Sequence, residues 1–213
     1  MAEIFDSFQR EDHVFRSEKF KSVVKEALRF FTNTPVHVLP PTKRFVGGGV
    51  YALYYFGDNK LYSVLAERKH YSCDSPIYVG KAVLPGWRTA RIRGINSSSL
   101  YGRLTEHSRS IRATSGLKLP HFKCRFVIFE NIEADLVVPV EAELIRKYKP
   151  IWNTIVDGFG NHDPGKGRYN QAKSEWDVLH PGRVWAERCK GTPPEIQNTQ
   201  EKVKRYFSDL RLS

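Results

Sequence analysis

Glu141 is the side chain whose placement most demands a chemical explanation. Leu144, Ile145 and Tyr148 lie three, four and seven residues beyond it. On a helix, Glu141 therefore shares their apolar stripe while Glu143 points away. A carboxylate on a buried face needs a partner or a metal ion; the bland reading is a first-turn acid that complements the helix dipole, which Glu143 serves equally well. Other candidates follow in order along the chain. Gly49-Val50-Tyr51 and Tyr78-Val79-Gly80, the latter followed by Lys81, sit in runs that read as strands. Arg103 and His107 are four residues apart, hence on one side of a helix. Asn153 follows Pro150, which ends the helix of Glu141. Singly these residues are ordinary, since strand tyrosines usually pack in cores and helix arginines are usually solvated. Together they supply a carboxylate for a metal ion, a cation for a phosphate, and a phenol that can move a proton.

Two other motifs carry less. GNHDPGKG at 160–167 has the spacing of a phosphate-binding loop, but Gly167 stands where Ser or Thr would ligate Mg²⁺, and no strand leads into it. It reads as a flexible basic loop in which Lys166 and Arg168 contact DNA backbone. His70-x-x-Cys73 and His121-x-x-Cys124 suggest zinc, but the second pair falls on a strand, where residues three apart face opposite sides.

The elements that must position these groups are legible by periodicity. Phe15, Phe20, Val23, Val24, Ala27, Leu28 and Phe31 recur at helical spacing, and NTPVHVLPPTKR then reads as a linker. VYALYYF is a strand, GDNK a turn, LYSVLA a return strand, and IYVG a further short strand. LYGRLTEHSRSI is a helix that Ser98 or Ser99 can cap, HFKCRFVIFE a strand, and VPVEAELIRKYKP a helix with late basic residues. A last amphipathic pattern carries Ile196, Val203, Tyr206, Phe207 and Leu210. The expected fold is α+β: a small mixed or antiparallel three-stranded sheet flanked by helices, with helical additions at both ends. It divides into an N-terminal helical extension and linker (1–44), a core with an inserted basic segment (45–155), and a C-terminal basic loop and helical extension (156–213).

Composition narrows the partners. The chain has 213 residues, 40% hydrophobic and 13% aromatic, enough for a core. It has no run of about 20 apolar residues that would span a membrane, and its acidic, polar start does not resemble a secretory signal. Three widely spaced cysteines, Cys73, Cys124 and Cys189, fit reduced thiols in the cytoplasm. The net charge is +11, and between Lys81 and Arg125 ten basic residues face one acid, Glu106. A field concentrated in this way points to a polyanion, with nucleic acid the first candidate. No convincing dinucleotide fingerprint or redox cysteine pair supports small-molecule or redox chemistry.

The ordered set resembles the GIY-YIG nuclease superfamily. GVY at 49–51 stands for its first motif, YVGKA at 78–82 for its second, Arg103 for the arginine of its first helix, and Glu141 through Pro150 to Asn153 for its last helix and asparagine. The flanking helices and His107 look most like its type II restriction endonucleases. The gaps from Tyr51 to Tyr78 and from Tyr78 to Arg103 are longer than usual in the family, and the second carries Arg88, Arg91 and Arg93. The resemblance implies a bacterial, cytoplasmic, Mg²⁺-dependent DNA endonuclease, with Mn²⁺ as a substitute ion. Glu141 would hold the metal and Arg103 would stabilise the phosphate. Tyr51 would be the general base, made more acidic by Arg103, Lys81 and the metal. His107 would relay the proton, Tyr78 would position water or phosphate, and Asn153 would hold the local geometry. The expected substrate is double-stranded DNA with a palindromic, GC-containing site, cut by a homodimer that forms at least on DNA, with Arg88, Arg91 and Arg93 reading it. The competing readings are a DNA-repair or homing-type nuclease and a nucleic-acid-binding module without catalysis.

Overall fold

The computed structural model describes residues 8–67, 73–86 and 97–212. Four antiparallel strands form one sheet in the order β1-β4-β2-β3: β1 (Val36–Val38), β2 (Gly48–Tyr55), β3 (Tyr78–Ala82) and β4 (Phe122–Phe129). All eight residues of β2 are buried, and their alternation divides the core in two. Tyr51, Leu53 and Tyr55 face a cluster that takes Leu100, Leu104 and Ile111 from α3 (Ser99–Ala113). Trp152 of α5 (Ile151–Thr154), Trp176 of α6 (Glu175–Leu179), and Val203 and Phe207 of α7 (Ile196–Leu212) complete that cluster. Val50, Ala52 and Tyr54 face the other way, onto α1 (Glu18–Asn33) and α4 (Val137–Tyr148). Each large apolar side chain buried this way contributes about 1.5–3 kcal/mol.

Local sequence sets the helix limits. The Ser17 hydroxyl accepts from the Phe20 amide and starts α1, and Pro35 follows its end. Lys149 takes a left-handed conformation (φ 44°) that closes α4 before Pro150. Glu141 lies one turn into α4, not in its first turn, because the helix begins at Val137.

The fold departs from expectation in two places. The segment expected to be a linker contains β1, which pairs with β4 from Val36–Arg125 to Val38–Lys123, so the sheet has four strands instead of three. LYSVLA is not a return strand: Ser63–Glu67 form a short helix, α2, that buries Val64 and Leu65. Both edges of β2 are already taken, by β3 and β4, so no position remains beside it for a hairpin partner. Asn59 converts the turn instead, its carbonyl accepting from the Tyr62 amide and its side chain from the Leu61 amide. Arg88, Arg91 and Arg93 lie outside the described residues, as does His70. No helix among the described residues is long and apolar enough to cross a membrane.

Candidate active site

Tyr51, from the centre of β2, has no exposed surface, and its hydroxyl lies 2.5 Å from Nε2 of His107 on α3. Register explains how a phenol fits there. Tyr51 pairs with Gly80 on β3, and a Cβ at Gly80 would stand 2.5 Å from the Tyr51 hydroxyl oxygen. Burial pushes the Tyr51 hydroxyl well above the ordinary tyrosine range; Tyr78 adds to the shift and Arg103 opposes it. Arg103 thus acts on Tyr51 in the expected direction, but burial outweighs it. His107 is also buried, and burial followed by the charge of Arg103 holds it well below the ordinary histidine range. A neutral imidazole thus faces a neutral phenol, and in the tautomer with the proton on Nδ1 its Nε2 accepts from the phenol.

Arg103, one helical turn before His107, acts on both tyrosine hydroxyls through its charge. Its outer side is held by three groups. Nη1 donates to Glu106 at 2.9 Å and meets the His162 ring, and Nη2 donates to the Gly160 carbonyl at 2.5 Å. Gly160 makes room for this approach: a Cβ there would stand 2.6 Å from the Tyr78 hydroxyl oxygen, so the Tyr78 ring or the loop would have to shift. Phe159, next to it, stacks on the His107 ring at 4.5 Å and 16°. Gly160 and His162, in the segment read as a flexible basic loop, therefore meet the arginine, and Phe159 just before it meets the histidine.

Glu141 and Lys81 meet on the α4 side of β3 in an ion pair, with the carboxylate largely shielded. The Glu141 charge reaches both Tyr51 and Tyr78. Asn153 braces the same strand, its amide accepting from the Val79 N–H and donating to the Val79 carbonyl, each at 2.8 Å. The structure thus gathers Tyr51, Tyr78, Lys81, Arg103, His107, Glu141 and Asn153 around β3. Lys166 and Arg168 do not join them; they lie on an exposed turn after Gly165, fixed by Asp163 accepting from Gly165 N–H and Tyr169 O–H. Sequence reading missed Glu106, Phe159, Gly160 and His162. Only the glycines on either side of Phe159 hinted that the backbone there comes close to another group.

A metal ion has one obvious protein donor here. Among the described residues no group of three or more His, Cys, Asp or Glu is arranged to hold a metal. A lone carboxylate would suit Mg²⁺, an ion bound through one or two carboxylates, and does not suit an all-protein zinc site. The family model described as the Eco29kI GIY-YIG domain matches residues 43–207 of this chain. No curated protein matches it.

Proposed function

Because the chain belongs to the Eco29kI GIY-YIG domain family, a family of restriction-type nucleases acting on DNA, we propose that it is a Mg²⁺-dependent type II endonuclease cutting both strands of a specific duplex site. The observation that carries the chemical reading is the buried Tyr51–His107 hydrogen bond beside Arg103. A resting phenolate is disfavoured, since burial raises the Tyr51 hydroxyl so far. Tyr51 serves as base without becoming an anion: Oη takes a proton from the attacking water while its own proton passes to Nε2 of neutral His107. Arg103 directs its positive charge at the phosphate oxygens, where negative charge builds as water attacks. Tyr78, less buried than either member of the pair, orients water or phosphate. Glu141 would hold the Mg²⁺ ion, which supplies Lewis-acid charge stabilisation at the scissile phosphate. Lys81 balances the Glu141 carboxylate, and Asn153 fixes β3 so that Tyr78 and Lys81 keep their positions. Lys166 and Arg168 contact the DNA backbone, and the segment of Arg88, Arg91 and Arg93 reads base edges, favouring a GC-containing palindrome.

Incubating the protein with several plasmids, with Mg²⁺ or with EDTA, tests the reading. Discrete fragments that appear only with Mg²⁺ are expected. Nicked or smeared products point instead to a repair or homing-type nuclease, and intact plasmid bound by the protein points to a binding module.

A further inference from the structure

Arg183 is 4% exposed in a chain of net charge +11. All five of its N–H donors are engaged. Nε and Nη2 grip the two carboxylate oxygens of buried Asp177, at 2.6 and 2.7 Å. The other three donors go to consecutive parts of one loop: Nη2 to the Gly158 carbonyl at 2.9 Å, and Nη1 to those of Phe159 at 3.1 Å and Asn161 at 3.3 Å. The guanidinium also lies 4.6 Å from the ring centres of both Trp176 and Trp185. Asp177 is fixed in turn by Ser174, whose hydroxyl donates to Oδ2 at 2.7 Å.

The loop so gripped is the one that meets the site. Between the held carbonyls of Phe159 and Asn161 lies the Gly160 carbonyl, which accepts from Arg103. The Phe159 ring, on the same peptide run, stacks on His107. We infer that Arg183 is a positioning residue for the reaction proposed above: through residues 158–162 it fixes where the Arg103 guanidinium and the His107 imidazole stand relative to Tyr51. Arg183 itself touches neither residue through a hydrogen bond and is too buried to contact DNA. Its role depends on fork geometry. Lysine carries the charge but has three donors on one nitrogen and cannot span a carboxylate and three carbonyls.

The test is Arg183→Lys, read by single-turnover cleavage, DNA affinity, thermal midpoint and the ring resonances of His107 in protein labelled at histidine. Displacement of a catalytic group by about 1 Å costs on the order of 10²-fold in rate, so a loss of that size is expected, with DNA affinity within a few-fold of the parent. The His107 resonances should move as Phe159 leaves its ring. If Arg183→Lys is folded, cuts at the parental rate and keeps the His107 resonances, the inference is wrong. If it does not fold, Asp177→Asn loosens the grip on the Arg183 guanidinium while leaving Phe159 and His107 unaltered; a parental rate with unshifted His107 signals overturns the inference equally. A parent protein that cuts no DNA defeats the nuclease reading instead, and the His107 resonances then still decide whether Arg183 sets the site.

Discussion

At the scale of single residues, the decisive contact joins two groups that are both uncharged at neutral pH. On the proposed mechanism, Tyr51→Phe removes the base and should lower the cleavage rate by about 10²–10⁴-fold with little loss of affinity. His107→Ala should lose a comparable factor, because Tyr51 then has no acceptor for its own proton. Full activity in the Tyr51→Phe variant would move the base role elsewhere. Protonated His107 cannot accept, so the rate should fall on the acid side; because the fold depresses His107, that limb should lie well below pH 6.5 in a single-turnover pH profile. Glu141→Gln should abolish Mg²⁺-dependent cleavage while DNA binding persists, with Glu143→Gln as an active control. These residues were singled out in the sequence through their resemblance to the ordered motifs of the GIY-YIG superfamily, since singly each is an ordinary strand or helix residue. The direction of the Tyr51 shift was not legible there, since burial is a product of the whole core and no local pattern encodes it.

Among the elements, helix α3, strand β4 and helix α4 were legible because long apolar periodicities have only one way to be buried. β1 was missed because three residues between prolines carry too little pattern, and pairing with β4 supplies what propensity does not. LYSVLA was misread because its composition suits a strand, and only the occupied edges of β2 forbid it. The loop after α5 contributes least by pattern and much by contact. Gly160→Ala should lower the cleavage rate, because the added Cβ meets the Tyr78 hydroxyl 2.6 Å away; unchanged kinetics would show that the loop yields without cost. Farther along, Lys166→Ala and Arg168→Ala should each weaken binding alike on all DNA sequences and reduce the salt slope by about one. Binding that keeps its salt slope in both variants would make this turn ordinary surface.

At the scale of the whole molecule, the proposed function gives each chain one set of Tyr51, Arg103 and Glu141 to handle one strand, so on that proposal two copies related by a two-fold axis should occupy each site. Phe15, Phe20, Val23 and Phe30 remain exposed on the N-terminal segment and α1, whereas Val203 and Phe207 of α7 are spent on the core. Mass measured free and on DNA should give two copies per site on DNA; one copy that cuts both strands in a single encounter would refute the argument. Stability should also depend on pH through the buried histidines. Burial lowers His180 from 6.5 to about 3, and His107 moves the same way. Below about pH 6.5 the unfolded chain binds protons that the folded protein refuses, so stability is full above that pH and declines toward about pH 3. Thermal midpoints that stay level between pH 7.5 and 5 would contradict this. Asn153, finally, does more than brace a catalytic strand. β3 is the rim of the sheet, and the Asn153 amide occupies the outward N–H and carbonyl of Val79 as a neighbouring strand would. Asn153→Ala would uncover that rim to a strand from another molecule, so its first symptom should be aggregation, and its true turnover is the one counted per soluble molecule.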